Sequence, residues 1–119
     1  MLDGKVSSSA LLCGLNATIG LYAGTGLSPT IAKPAGINTI DSLFSGASSA
    51  MAVNGGAQTV GNPGNAAVDA ITIGATRTDG PYPFDGDLAA LVICNRSLSE
   101  SERQRVVRWC NRLRGRLAI

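Results

Sequence analysis

At 119 residues, with 45% hydrophobic, 15% charged and 4% aromatic residues and 15 glycines, the chain is sized for one domain, residues 1–119, with its own core. Its low charge and high glycine content exclude a coiled coil, collagen and a highly charged disordered chain. The formal charge of +2 hides a split: residues 1–95 carry Lys5, Lys33 and Arg77 against six aspartates, net −3, while residues 96–119 carry seven arginines against Glu100 and Glu102, net +5.

Strand signals recur at short intervals, each closed by Gly, Pro or Asn. Ala10–Leu15 and Thr18–Ala23 are apolar and β-compatible, broken by Asn16 and by Gly24-Thr25-Gly26. Thr30–Lys33 lies between two prolines, which suits an edge strand better than a sheet centre. Ile37–Ser45 alternates, with Ile40, Ser42 and Phe44 on one face and Thr39, Asp41 and Leu43 on the other. A turn at Ser45-Gly46-Ala47-Ser48 leads to a strand over Ser49–Val53. Asn54-Gly55-Gly56 turns again into Ala57–Val60, because Asn and Gly tolerate the positive φ of a tight hairpin turn. Gly61-Asn62-Pro63-Gly64-Asn65 is a loop, Val68–Thr76 another strand, and Arg77–Pro83 a polar loop. Within Phe84–Asn95, Leu88–Cys94 is the most continuous apolar run, which predicts a central strand covered on both faces.

One helix is predicted at about residues 99–114. Ser99 and Glu102 have capping-box spacing, Glu100 and Glu102 place negative charge at the positive end of the dipole, and Gly115 offers a stop. Val106, Trp109, Cys110 and Leu113 follow i, i+3, i+4, i+7 spacing and form one apolar stripe, which places Trp109 in the core. Seven or eight strands in two sheets, with this helix packed on them, make the predicted class all-β.

The three cysteines, Cys13, Cys94 and Cys110, lie in apolar runs without C-x-x-C spacing, and so are expected to be buried thiols in a reducing compartment. No secretory signal is expected, because the apolar run after Lys5 stops at Gly14 and Asn16. No stretch approaches the roughly 20 apolar residues that span a bilayer.

Several segments carry a resemblance: Leu21-Tyr22-Ala23-Gly24; Phe44 to Ser49 leading to Val53-Asn54-Gly55; Ile71-Thr72-Ile73-Gly74-Ala75; Phe84-Asp85-Gly86-Asp87-Leu88-Ala89; and Asn95-Arg96-Ser97-Leu98-Ser99-Glu100-Ser101-Glu102-Arg103. Their order and spacing over residues 20–115, and above all the block Ile71 to Gly115, resemble the C-terminal part of the concanavalin A-like, laminin-G-like jelly-roll family in its bacterial and bacteriophage members. The resemblance implies a two-sheet antiparallel jelly-roll sandwich, shortened, with one C-terminal helix. Members of the family begin with several further strands, so this chain looks like the later portion of the fold, either a reduced sandwich or one whose open edge a neighbouring subunit completes. The family often has an acidic residue where Ala90 stands, which removes a site built on that carboxylate.

The chemistry available is narrow. Glycoside hydrolysis needs a close carboxylate pair, and no Glu-x-Asp-x-x-Glu pattern occurs, so no catalytic residue is assigned and a glycosidase-like fragment is the weakest alternative. Without histidine, neither a Ser-His-Asp nor a Cys-His site can form within the chain. Asp79, Asp85 and Asp87, with Asn95, are weak candidates for calcium, set against a reading as turn residues around Gly80 and Gly86. Tyr82, between two prolines, is the loop aromatic suited to stack on a sugar. Arg105, Arg108 and Arg112 fall within about 60° of one another opposite the apolar stripe. They form either a solvated face or a surface for an anionic partner, most simply an acidic patch on another protein subunit; the acidic body and scarce aromatics disfavour nucleic acid.

The expectation is a non-enzymatic structural or assembly module. By resemblance it is a bacteriophage virion component of the capsid-decoration or tail-fibre type, assembled in the cytoplasm and oligomeric through protein–protein contacts. The alternative is a lectin-like carbohydrate-binding module of a larger cell-surface protein, acting through Tyr82.

Overall fold

A computed structural model of the chain describes residues 2–3, 11–15, 18–66, 72–73 and 86–117, with backbone alone for 2–3, 11–15 and 72–73. These residues form eight short strands in two antiparallel sheets and one C-terminal helix. The first sheet contains β1 (Leu2–Asp3), β2 (Leu11–Leu15), β3 (Thr18–Tyr22), β4 (Thr30–Ala32) and β8 (Thr72–Ile73), in the order β4-β3-β2-β1-β8. The second contains β5 (Ile40–Leu43), β6 (Ser49–Val53) and β7 (Thr59–Gly61), in the order β5-β6-β7. The mostly β class predicted from turn spacing is observed, and β4 lies at a sheet edge as its flanking prolines require.

Period-two alternation decides which side chains form the core. In the β5–β6 register, Ile40 opposes Val53 and Ser42 opposes Met51 on one face, while Asp41 opposes Ala52 and Leu43 opposes Ala50 on the other. The first face meets the other sheet: Met51 packs with Ile19 and Leu21 of β3, and Ile31 and Ile40 close the cluster. The second face carries the buried alanines Ala50 and Ala52 and the helix-facing Asp41. The loop after β7 fastens the two sheets together. The Pro63 carbonyl accepts from the Ala23 and Thr25 amides at 2.8 and 3.0 Å, and the Ala66 amide donates to the Ala23 carbonyl at 3.0 Å. Gly64 sits in this fastening at φ +109°, where an added Cβ would overlap the Ala23 carbonyl oxygen.

The turn after β6 is the one its sequence demands. Asn54 and Gly55 both have positive φ, 57° and 80°, and the Gly56 amide closes the turn on the Val53 carbonyl at 3.0 Å. The Asn54 side chain accepts from the Thr39 amide at 2.9 Å and donates to Asn38 at 2.9 Å, tying the turn to the start of β5.

Helix α1 spans Glu100–Leu117. It runs through Gly115, so that glycine is not the stop expected from the sequence; Arg114 and Arg116 in the last turn favour continuation by opposing the dipole.

The larger correction concerns residues 88–94. Leu88, Leu91, Val92 and Ile93 are 55, 39, 47 and 53% exposed, and the stretch lies in no helix, turn or paired strand. A continuous apolar run signals that both faces favour cover, and among the described residues no strand pairs with this one. Only part of the Val68–Thr76 strand is described, at Thr72–Ile73, and Arg77–Pro83 lies outside the described residues.

Candidate interaction surface

The N-terminus of α1 is built as its sequence predicts. The Ser99 amide donates to Glu102 Oε2 at 2.9 Å and the Glu102 amide reaches back to Ser99 Oγ at 3.4 Å, a closed capping box. Arg96 adds a bidentate grip on the same carboxylate, at 3.0 and 2.7 Å. The Arg96 guanidinium and then the Ser99 amide and hydroxyl hold the Glu102 carboxyl at about 2. Glu100 is likewise held at about 2, first by Arg103 and then by Gln104.

Arg103 is the hinge of the arrangement. Its Nε and Nη2 both donate to Glu100 at 2.8 Å, while Nη1 reaches Asp41 of β5 at 2.6 Å, a contact between residues 62 apart in sequence. Both side chains of the Asp41 pair are mostly covered, 13% exposed for Arg103 and 17% for Asp41. Hydrogen bonding to Glu100 and then to Asp41 raises the Arg103 guanidinium above its ordinary value, against the effect of burial. One and two turns further on, Val107 is 2% exposed and packs against the Gly55 turn, and Asn111 Nδ2 donates to the Asn54 carbonyl at 3.0 Å. A Cβ at Gly55 would stand 3.0 Å from Val107 Cγ1, so the glycine serves the close approach of the helix as well as the turn.

These contacts rotate α1 by about 100° from the orientation its apolar stripe predicts, since Val107 is one residue beyond Val106. Arg103, Val107 and Asn111 face the β5–β6 hairpin. Val106, Cys110 and Leu113 are left half-buried, and Trp109 is 47% exposed rather than in the core. The reason is that polar pairing to Asp41 and Asn54, together with one valine, sets the helical phase. Sequence reading missed Arg103 and Asp41; the available signal was an acid at position 41 inside an otherwise strand-like run.

The rotation opens a groove of about 560 Å³ between α1 and the stretch before it, lined by Val92, Cys94, Leu98, Glu102, Arg105, Val106 and Trp109. Cys94 is exposed and Cys110 half-buried, both free thiols, so the expectation of buried cysteines fails at Cys94; the Cys13 side chain lies outside the described residues. Arg105, Arg108 and Arg112 are all exposed, and among the described residues none of the three has an ion pair. Arg105 rims the groove. Asp87 and Asn95 are exposed, while Asp79, Asp85 and Tyr82 lie outside the described residues. Among the described residues no cluster of three or more His, Cys, Asp or Glu side chains could hold a metal ion, and no helix is long and apolar enough to cross a membrane.

No protein-family model matches the chain. No curated protein and no solved structure matches it either.

Proposed function

We propose that this protein is a non-enzymatic structural or assembly module that works through protein–protein contacts. The observation that carries this reading is the exposure of apolar side chains in and next to the groove: Leu88, Leu91, Val92, Ile93 and Trp109 are five of the nine large hydrophobic residues exposed among those described, and Val92 and Trp109 line the groove itself. Exposed apolar area beside polar groups marks a contact surface, and tryptophan and arginine are the side chains that most often anchor one. The carboxylates add support: Asp41, Glu100 and Glu102 are each committed to an arginine, leaving none of them free for acid–base work.

In this reading the two sheets and terminal helix are the later portion of a jelly-roll sandwich, the fold that the resemblance over residues 71–115 supports. That resemblance also supports the setting we assign, a bacteriophage virion, with the chain as a capsid-decoration or tail-fibre component. Density-gradient sedimentation of particles from the cells that make this protein is the test. The chain is expected in the particle fraction at fixed stoichiometry, and Trp109→Glu is expected to release it while leaving the helical circular dichroism intact. Recovery of the folded wild-type chain only at the top of the gradient would overturn the proposal. So would glycan-array binding abolished by Tyr82→Ala, which would make the chain a lectin.

A further inference from the structure

The exposed run 88–94 has properties beyond being apolar. Every residue of it except Ala90 is exposed, and among the described residues no backbone hydrogen bond engages it. It contains none of the devices that protect a free strand edge: no proline, no lysine, no charge of either sign and no glycine. Its two ends differ in charge, with Asp87 immediately before it and Asn95-Arg96 immediately after, Arg96 being paired with Glu102, while Arg105, which has no ion pair among the described residues, lines the groove with Cys94.

We propose that the run 88–94 pairs antiparallel with the same run of a second copy of this chain, across a two-fold axis at Leu91. This names the partner of the surface described under the assembly reading and rests on that reading. The register follows from apolar overlap: centred on Leu91, it sets Leu88 opposite Cys94, Ala89 opposite Ile93 and Ala90 opposite Val92, so the unbonded amides and carbonyls find partners. Alternation then sends Val92 and Cys94 of one copy, with Leu88 and Ala90 of the other, toward the groove and Trp109, while Ala89, Leu91 and Ile93 of both copies share the opposite face. Charge selects the direction. Antiparallel pairing brings Asp87 of each copy to the end where the second copy's Arg96 and Arg105 stand, whereas parallel in-register pairing would set Asp87 against Asp87. A two-fold contact of this kind is self-complementary and closes at two copies.

Light scattering on the purified full chain, at concentrations from micromolar to millimolar, tests the pairing. The expected mass is twice the 12.1 kDa of one chain, with Trp109 emission shifting to the blue as the dimer forms. Leu91→Asp sets two carboxylates at the axis and is expected to give a single-chain mass with unchanged helical circular dichroism, since the position is exposed in the monomer. Leu91→Cys is expected to form a disulfide between the two copies of position 91 under mild oxidation, identified by peptide mapping against Cys13, Cys94 and Cys110. Asp87→Lys, exposed and away from every fold contact described, is expected to raise the dimer Kd about tenfold. A wild-type chain that remains single at millimolar concentration overturns the proposal, as does a dimer that survives Leu91→Asp and yields no link at position 91. A single chain that still sediments with particles sinks the self-pairing and leaves the assembly reading standing; a dimer absent from particles does the reverse.

Discussion

The two long sides of α1 invert the usual division of labour. The side against the β5–β6 hairpin is held by Arg103 on Asp41, Asn111 on the Asn54 carbonyl and one valine, while the side carrying Val106, Trp109 and Leu113 is the more open one. A covered ion pair has to be geometrically satisfied, because breaking it leaves a charge with neither water nor partner. An apolar stripe is less demanding: left open it costs hydration free energy spread over its area, which another surface can recover later. The helix therefore obeys its polar contacts first, and its apolar stripe is left half-buried at Val106, Cys110 and Leu113 and exposed at Trp109. Among the described residues, Asp41 Oδ1 and Asn111 Oδ1 are buried without a hydrogen-bond partner, so this side carries a desolvation cost of its own.

Several measurements would break this contrast, beginning with the hairpin side. Arg103→Ala strips Asp41 of its partner and is expected to cost about 3 kcal/mol, read from urea melts of the far-UV signal; a loss no larger than that of an exposed arginine would show that the pair does not hold the helix. Val107→Ala removes two methyl groups from the packed contact with Gly55 and is expected to cost about 2 kcal/mol, accompanied by faster amide exchange along α1. If exchange accelerates in the sheets and not in α1, the contact has been assigned to the wrong unit.

Ser99→Ala opens the capping box at a cost of about 1 kcal/mol, confined to the first turn in exchange measurements. The same turn should respond to acid. Glu100 and Glu102 titrate at about 2 in the folded chain, below their unfolded value of 4.5. The stability they lend is therefore full above pH 4.5 and is lost as pH falls toward 2. An acid titration in which the first turn of α1 frays at neutral pH, or is still unaltered at pH 2, contradicts that assignment. The smallest effect belongs to the arginine face: Arg108→Glu should change stability by less than about 0.5 kcal/mol, because the position is exposed and the change relieves repulsion from Arg105 and Arg112. A large destabilisation there would mean that the face is not free.

Local signals are legible in the sequence. Ser99 and Glu102 cap a helix because a hydroxyl and a carboxylate three residues apart meet orphan amides by chain geometry alone, and Asn54-Gly55 turns because those residues tolerate positive φ. The β6 strand, Ser49–Val53, falls where its flanking turns put it. Trp109 and the run Leu88–Cys94 depart from their expected core positions for one shared reason. Apolar periodicity and continuity report that a face favours removal from water, but not which surface removes it, nor whether that surface belongs to the same chain. Of the candidate site, the arginine face was legible because 100° per residue fixes which side chains share a helix side. The groove was not, since it depends on where Arg103 finds an acid.

What the sequence by itself determined is the set of local decisions: short strands between Gly, Pro and Asn, a capped C-terminal helix, and an acidic body joined to a basic end. Those depend on interactions among residues a few positions apart. The tertiary structure alone decided the rotation of α1. Arg103 and Asp41 lie 62 residues apart, as Asn111 and Asn54 lie 57 apart, and no short-range rule connects them. Once those pairs form, the helix has a single phase, and Trp109 is left exposed at the groove.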